Sequence, residues 1–248
     1  MSRRSRRRSA APRAAAPPTI RHAAVDALRG LGICLMVAYH LAFDLAWFRV
    51  IQADFNHEPF WLASRALIVT IFLALVGVSL VLASRAHRGP EPFWRRVALI
   101  AGCAILVSIA SYVTFPQSFI TFGILHAIAV SSILARPLVR RPRIALALGI
   151  AIIVLGTTVH LPFFDQPWLN WVGMMTHKPA TEDYVPLFPW LGVVLLGIPA
   201  GHAVLARPAR VAAMGARAPR WLAWLGRHSL LIYMAHQPLI VGLLRVAL

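Results

Sequence analysis

Four residues in one hydrophobic segment carry the chemistry this chain can do. Residues 25–45 read VDALRGLGICLMVAYHLAFDL, and Asp26, Arg29, His40 and Asp44 lie within them. A helix turns about 100° per residue, so the four fall within a sector of roughly 60°. Three charged groups and an imidazole on one side of an apolar span are costly in lipid, so they face a protein interior or a watery cavity and mark a functional path. Arg29 and His40 have ten residues between them, about 16 Å along a helix axis. That spacing suits a substrate that enters at one membrane face and reacts nearer the other. An imidazole with a carboxylate one turn on reads as an oriented general base, His40 with Asp44. Arg29 reads as an anchor for an anionic substrate, paired locally with Asp26.

A second polar set lies near the C-terminus, in LGRHSLLIYMAHQP over residues 225–238. Ser229, Tyr233 and His236 share a helical face, Gln237 follows, and Pro238 is expected to break the helix. Arg227 and His228, with Ser229, are placed to meet a phosphorylated donor. His126, in FGILHA, is a further catalytic candidate. His57 in the loop after the first span and Asp183 ahead of the sixth complete the set, while Arg65 is read as snorkelling outward. Zinc-type spacings such as H-x-x-x-H or C-x-x-C are not seen, so no metal is expected. Haem shared by His40 and His126 is a weak competitor. Cys34 and Cys103 sit inside apolar segments and read as small core residues.

These residues need a scaffold, and composition supplies its class. The chain has 248 residues, is 59% hydrophobic with only 13% charged residues, and carries a net charge of +17. That is an all-α polytopic membrane protein. The arginines cluster in the N-terminal tail and alternate loops, which argues against nucleic acid. Residues 1–20 are basic and Ala/Pro-rich without an apolar signal-peptide core, and read as a disordered cytoplasmic tail. Residues 21–248 form the membrane domain. Lys178 is the only lysine, a compositional sign of a GC-rich bacterial genome and hence of a bacterial cytoplasmic (inner) membrane.

Seven spans fit the pattern, near 24–45, 62–84, 94–114, 119–136, 142–160, 186–206 and 222–246. The tail and the second, fourth and sixth loops are rich in arginine. The first, third and fifth hold Asp54, Glu58, Asp165, Glu182 and Asp183. The positive-inside rule then puts the N-terminus in the cytoplasm and the C-terminus outside.

Five runs also carry a resemblance. They are DALRG with MVAYHLAFD, FLALVGVSL from Phe72, FGILHAI from Phe122, DYVPLFPWLG from Asp183, and GRHSLLIYMAHQP from Gly226. Together they resemble the bacterial heparan-α-glucosaminide N-acetyltransferase-like proteins of the transmembrane acyltransferase superfamily. The resemblance implies acetyl-CoA, or another acyl-CoA, binding from the cytoplasm, and acyl transfer to a sugar amine or hydroxyl on the outer face. It implies His40 as catalytic histidine and Arg29 as donor anchor. The lysosomal members place an asparagine near His40 and their proposed catalytic histidine near His57, and His40 is preferred here. A homodimer is expected from the resemblance alone. A proton-coupled transporter or flippase using the same stripe is the alternative, disfavoured by the lack of an internal repeat.

Overall fold

The computed structural model describes residues 22–86 and 90–248, so the expectations for the basic tail lie outside the described residues. Nine α-helices occur among them: α1 (Ala23–Trp47), α2 (Pro59–Arg85), α3 (Pro90–Thr114), α4 (Ile124–Ala135), α5 (Pro142–Thr158), α6 (Leu187–Ala206), α7 (Pro208–Arg217), α8 (Arg220–Arg227) and α9 (Ser229–Ala247). Several begin on a proline, whose missing N–H is no loss in a helix's first turn.

Helices α1, α2, α3, α6 and α9 are long and apolar enough to cross a membrane. The apolar helices at Ile124–Leu138 and Pro142–Thr158 are shorter. The chain is thus an all-helical, multi-pass membrane protein. Large apolar side chains point outward where lipid would lie, among them Leu106, Val113, Leu231 and Leu243.

Helix α6 is the centre, packed on α2, α4 and α5. Lipid tails are as apolar as leucine, so close approach of backbones, not water exclusion, selects these pairs. Gly77 of α2 meets Gly197 of α6, and a Cβ on either would strike the other helix's backbone. The buried core around this contact includes Leu73, Val81, Val194 and Ile198.

Four expectations about these elements shift. The fourth span was expected from residue 119, but the helix starts at Ile124. Residues 118–122 instead run beside residues 181–185: Glu182 N donates to Ser118 O at 3.0 Å, and Val185 N donates to Phe122 O at 3.1 Å. Those backbone groups are satisfied by the neighbouring loop, so no helix is needed there. The last span was expected as one helix over 222–246, but it divides at His228 (φ −102°, ψ 17°) into α8 and α9. Pro238, expected to break the helix, lies inside α9. Residues 208–217, expected as loop, form α7.

Candidate functional site

Helix α9 lies against the C-terminal half of α1 and brings the two polar sets together. The rings of His40 and His236 meet edge to face, centroids 4.8 Å apart. His40 Nδ1 lies 2.9 Å from the Met36 carbonyl, and His236 Nδ1 lies 2.6 Å from the Tyr233 carbonyl. A carbonyl only accepts, so both Nδ1 atoms donate and both Nε2 atoms keep their lone pair in the neutral rings. Each ring's tautomer is therefore set by its own helix backbone. The orienting partner of His40 is the Met36 carbonyl and not Asp44, as the one-turn spacing had led us to expect.

Asp44 is 4% exposed and accepts a hydrogen bond at Oδ1 from Gln237 Nε2 at 3.3 Å. Asp44 Oδ2, Gln237 Oε1 and His236 Nε2 are buried without a partner. Three unpartnered acceptors around one helix contact are costly unless a donor group comes to meet them. The cluster thus offers acceptors to O–H or N–H groups.

At the N-terminal end of the stripe Arg29 uses its fork. Nη1 donates to Asp26 Oδ1 at 2.9 Å and Nη2 to Ser79 Oγ at 3.0 Å. Ser79, on α2, was missed because nothing in a lone serine within an apolar span marks it. Two glycines close this corner. A Cβ on Gly226 would meet the Asp26 carbonyl, and one on Gly30 would meet the Leu222 carbonyl. The DALRG and GRHS runs therefore touch glycine to backbone, and α8 crosses α1 at Arg29. Arg96 of α3 lies close enough to feel the Arg29 charge, so a second guanidinium stands near this corner. Arg227 is exposed, and the His228 ring lies on Trp224 at 4.5 Å. Ser229 opens α9.

Asp183 and His126 meet at the start of α4. Asp183 Oδ2 accepts from Ile124 N at 2.8 Å, capping the helix. Burial pushes the Asp183 carboxyl above its usual range, with that bond and the charges of Arg65 and Lys178 opposing. Burial also lowers the Lys178 ammonium and raises the Tyr184 phenol to about 12. Arg65 and Lys178, not chosen as site residues from sequence, thus lie near enough for their charges to act on Asp183.

His126 differs from His40. Its Nδ1 accepts from Gly123 N at 3.3 Å, so the proton sits on Nε2, 3.4 Å from Ser108 Oγ. Ser108 donates onward to the Ile120 carbonyl at 2.6 Å. Both nitrogens of His126 are committed, and the neutral ring has no lone pair to offer a substrate. His57 is not brought to the stripe. It is an exposed loop residue bound to Asp54 Oδ2 at 2.8 Å, and that bond holds the Asp54 carboxyl below its usual range. Among the described residues no cluster of three His, Cys, Asp or Glu side chains is placed to hold a metal.

The fold and this site define a multi-pass membrane protein with a buried polar cluster between its helices. A family model described as heparan-alpha-glucosaminide N-acetyltransferase, catalytic, matches residues 21–238, and the chain belongs to that family. It is accordingly an acetyltransferase-type membrane enzyme, of a family whose general co-substrate is acetyl-CoA. Searches of curated proteins and of solved structures gave no match.

Proposed function

We propose that this protein moves an acetyl or other acyl group from cytoplasmic acyl-CoA to a sugar, or a related amine or hydroxyl, on the outer face of a bacterial inner membrane. The observation that carries this reading is the bare Nε2 of His40, held by the Met36 carbonyl at the outer half of α1 and flanked by His236.

In this reading seven segments cross the membrane, with the N-terminus in the cytoplasm and the C-terminus outside. The arginine-rich segments then face inward and the acidic loops outward. Arg29, braced by Asp26 and Ser79 and supported by Arg96, holds donor phosphate at the inner corner. The acyl thioester reaches along the stripe toward His40. The acceptor enters from outside, past Asp183, Arg65 and Lys178, and brings its O–H or N–H to the unpartnered acceptors at Asp44, Gln237 and His236. His40 Nε2 takes the proton as the acceptor attacks the thioester carbonyl, and CoA leaves as the thiol. An acetyl-histidine route starts from the same lone pair. His126 holds the start of α4 in place and positions Asp183.

The test is release of CoA thiol by purified protein supplied with acetyl-CoA, comparing the wild type with His40→Ala. Release that vanishes in a folded His40→Ala protein supports the reading, and unchanged release overturns it.

A further inference from the structure

The α7–α8 segment and the groove beside it are not used by this reaction. Arg207, Arg210, Arg217, Arg220 and Arg227 are all exposed here, and no acidic residue follows Asp183 in the chain. Among the described residues none of these arginines takes part in an ion pair. Met214, Trp221 and Trp224 are also exposed, at 58%, 59% and 50%. Short amphipathic helices that show tryptophan and arginine together belong at a membrane interface. Next to them an open cavity of about 380 Å³ runs between α3 and α9, with Arg227 and His228 at one end. Leu99, Cys103, Leu231 and Met234 line its length.

The two features fit one amphiphile. The cavity wall is almost wholly apolar, so an alkyl chain loses nothing there, whereas the two amides of a CoA arm would lie without partners. Arg227 offers a fork of donors to a phosphate at the level where headgroups sit. The surrounding uncompensated arginines favour net negative charge in that headgroup.

We infer that the α3–α9 groove is a binding site for one anionic phospholipid, its phosphate on Arg227 and His228 and an acyl chain along Cys103 and Met234. The sequence alone had assigned Arg227 and His228 to the donor. This inference does not depend on the transfer reaction. Arg227, at the end of the groove, directly follows Gly226, at which α8 packs on α1.

The groove contains its own reporter. In a Cys34→Ala background Cys103 is the only thiol. Delipidated, full-length protein in detergent is treated with a small apolar maleimide, with added phosphatidylglycerol, phosphatidylcholine or CoA. Phosphatidylglycerol is expected to slow labelling where phosphatidylcholine does not, and native mass spectrometry to show one phosphatidylglycerol retained per chain. Arg227→Ala is expected to weaken that retention roughly fivefold, the effect of one arginine at an anionic surface. Leu231→Trp, at a position facing lipid, fills the groove and is expected to displace the lipid while elution volume and helicity stay unchanged. Equal protection by both lipids, protection by CoA alone, protection by nothing, or full retention in either variant overturns the assignment. Acyl transfer could fail without touching these outcomes.

Discussion

His40 on α1 and His236 on α9 form a crossed pair, ring centroids 4.8 Å apart and planes at 79°, each ring donating Nδ1–H to a carbonyl of its own helix. The pair exists because two stretches nearly two hundred residues apart in sequence pack side by side. The Met36 carbonyl, not Asp44, fixes the tautomer of the neutral His40 ring and leaves its Nε2 free. Asp44→Asn should therefore lower turnover far less than His40→Ala, since Asn keeps an acceptor for Gln237. Steady-state kcat for both variants checks this, and equal losses would restore Asp44 as the partner of His40.

Arg29 is held by two different side chains, and this makes it hard to replace. Arg29→Ala should raise KM for acetyl-CoA roughly 10- to 100-fold, the range for losing a charge-assisted contact. Arg29→Lys should not restore it, because an ammonium cannot reach Asp26, Ser79 and a phosphate with one planar fork. Ser79→Ala should have a smaller effect in the same direction. KM values for the three variants, with kcat compared alongside, decide this.

Gly226 and Gly30 are set by space. Gly226→Ala puts a methyl group against the Asp26 carbonyl, which is backbone and cannot swing aside. A loss of about 1–3 kcal/mol is expected from overpacking at such a contact. Thermal unfolding in detergent measures it, and an unchanged midpoint would mean that α8 does not clasp α1 in solution.

Asp183 gives a pH signature. Burial raises its folded-state carboxyl above the unfolded value of 3.8. Between those two values the native protein binds more protons than the unfolded chain, so stability falls as pH rises through that window. Asp183→Asn should flatten this acid-side slope and keep an oxygen for Ile124 N. Asp183→Ala should cost about 1–2 kcal/mol through the lost cap. Melting midpoints across acid pH test both, and a rise in stability with pH that Asp183→Asn abolishes would contradict the sign.

His126→Ala should act through the same helix start. With both ring nitrogens engaged by Gly123 and Ser108, its loss is expected in stability, about 1 kcal/mol, and not in kcat. A fall in kcat beyond tenfold at unchanged stability would return His126 to the chemistry.

Much of the site could be read from spacing within one helix. The Asp26–Arg29 pair follows from i,i+3 geometry, and the stripe from helical periodicity. Partners on other helices could not be read. Nothing in the sequence tells Ser79 that it faces Arg29, or Gln237 that it faces Asp44. The tautomers of His40 and His126 were also hidden, because each depends on which backbone group the ring meets. The elements were legible where apolar runs are long. They failed at 118–123, where a neighbouring loop satisfies the backbone, and at His228, where the Gly226 contact turns the chain.

One measurement bears most directly on the central claim. Purified protein in nanodiscs is given radiolabelled acetyl-CoA, and bound donor and released CoA are followed together in the wild type and in His40→Ala. The account requires both proteins to bind the donor alike, with release roughly 10²–10⁴-fold slower in the variant. Release at the wild-type rate from folded, donor-bound His40→Ala would remove His40 from the reaction and leave the stripe as a path with another purpose.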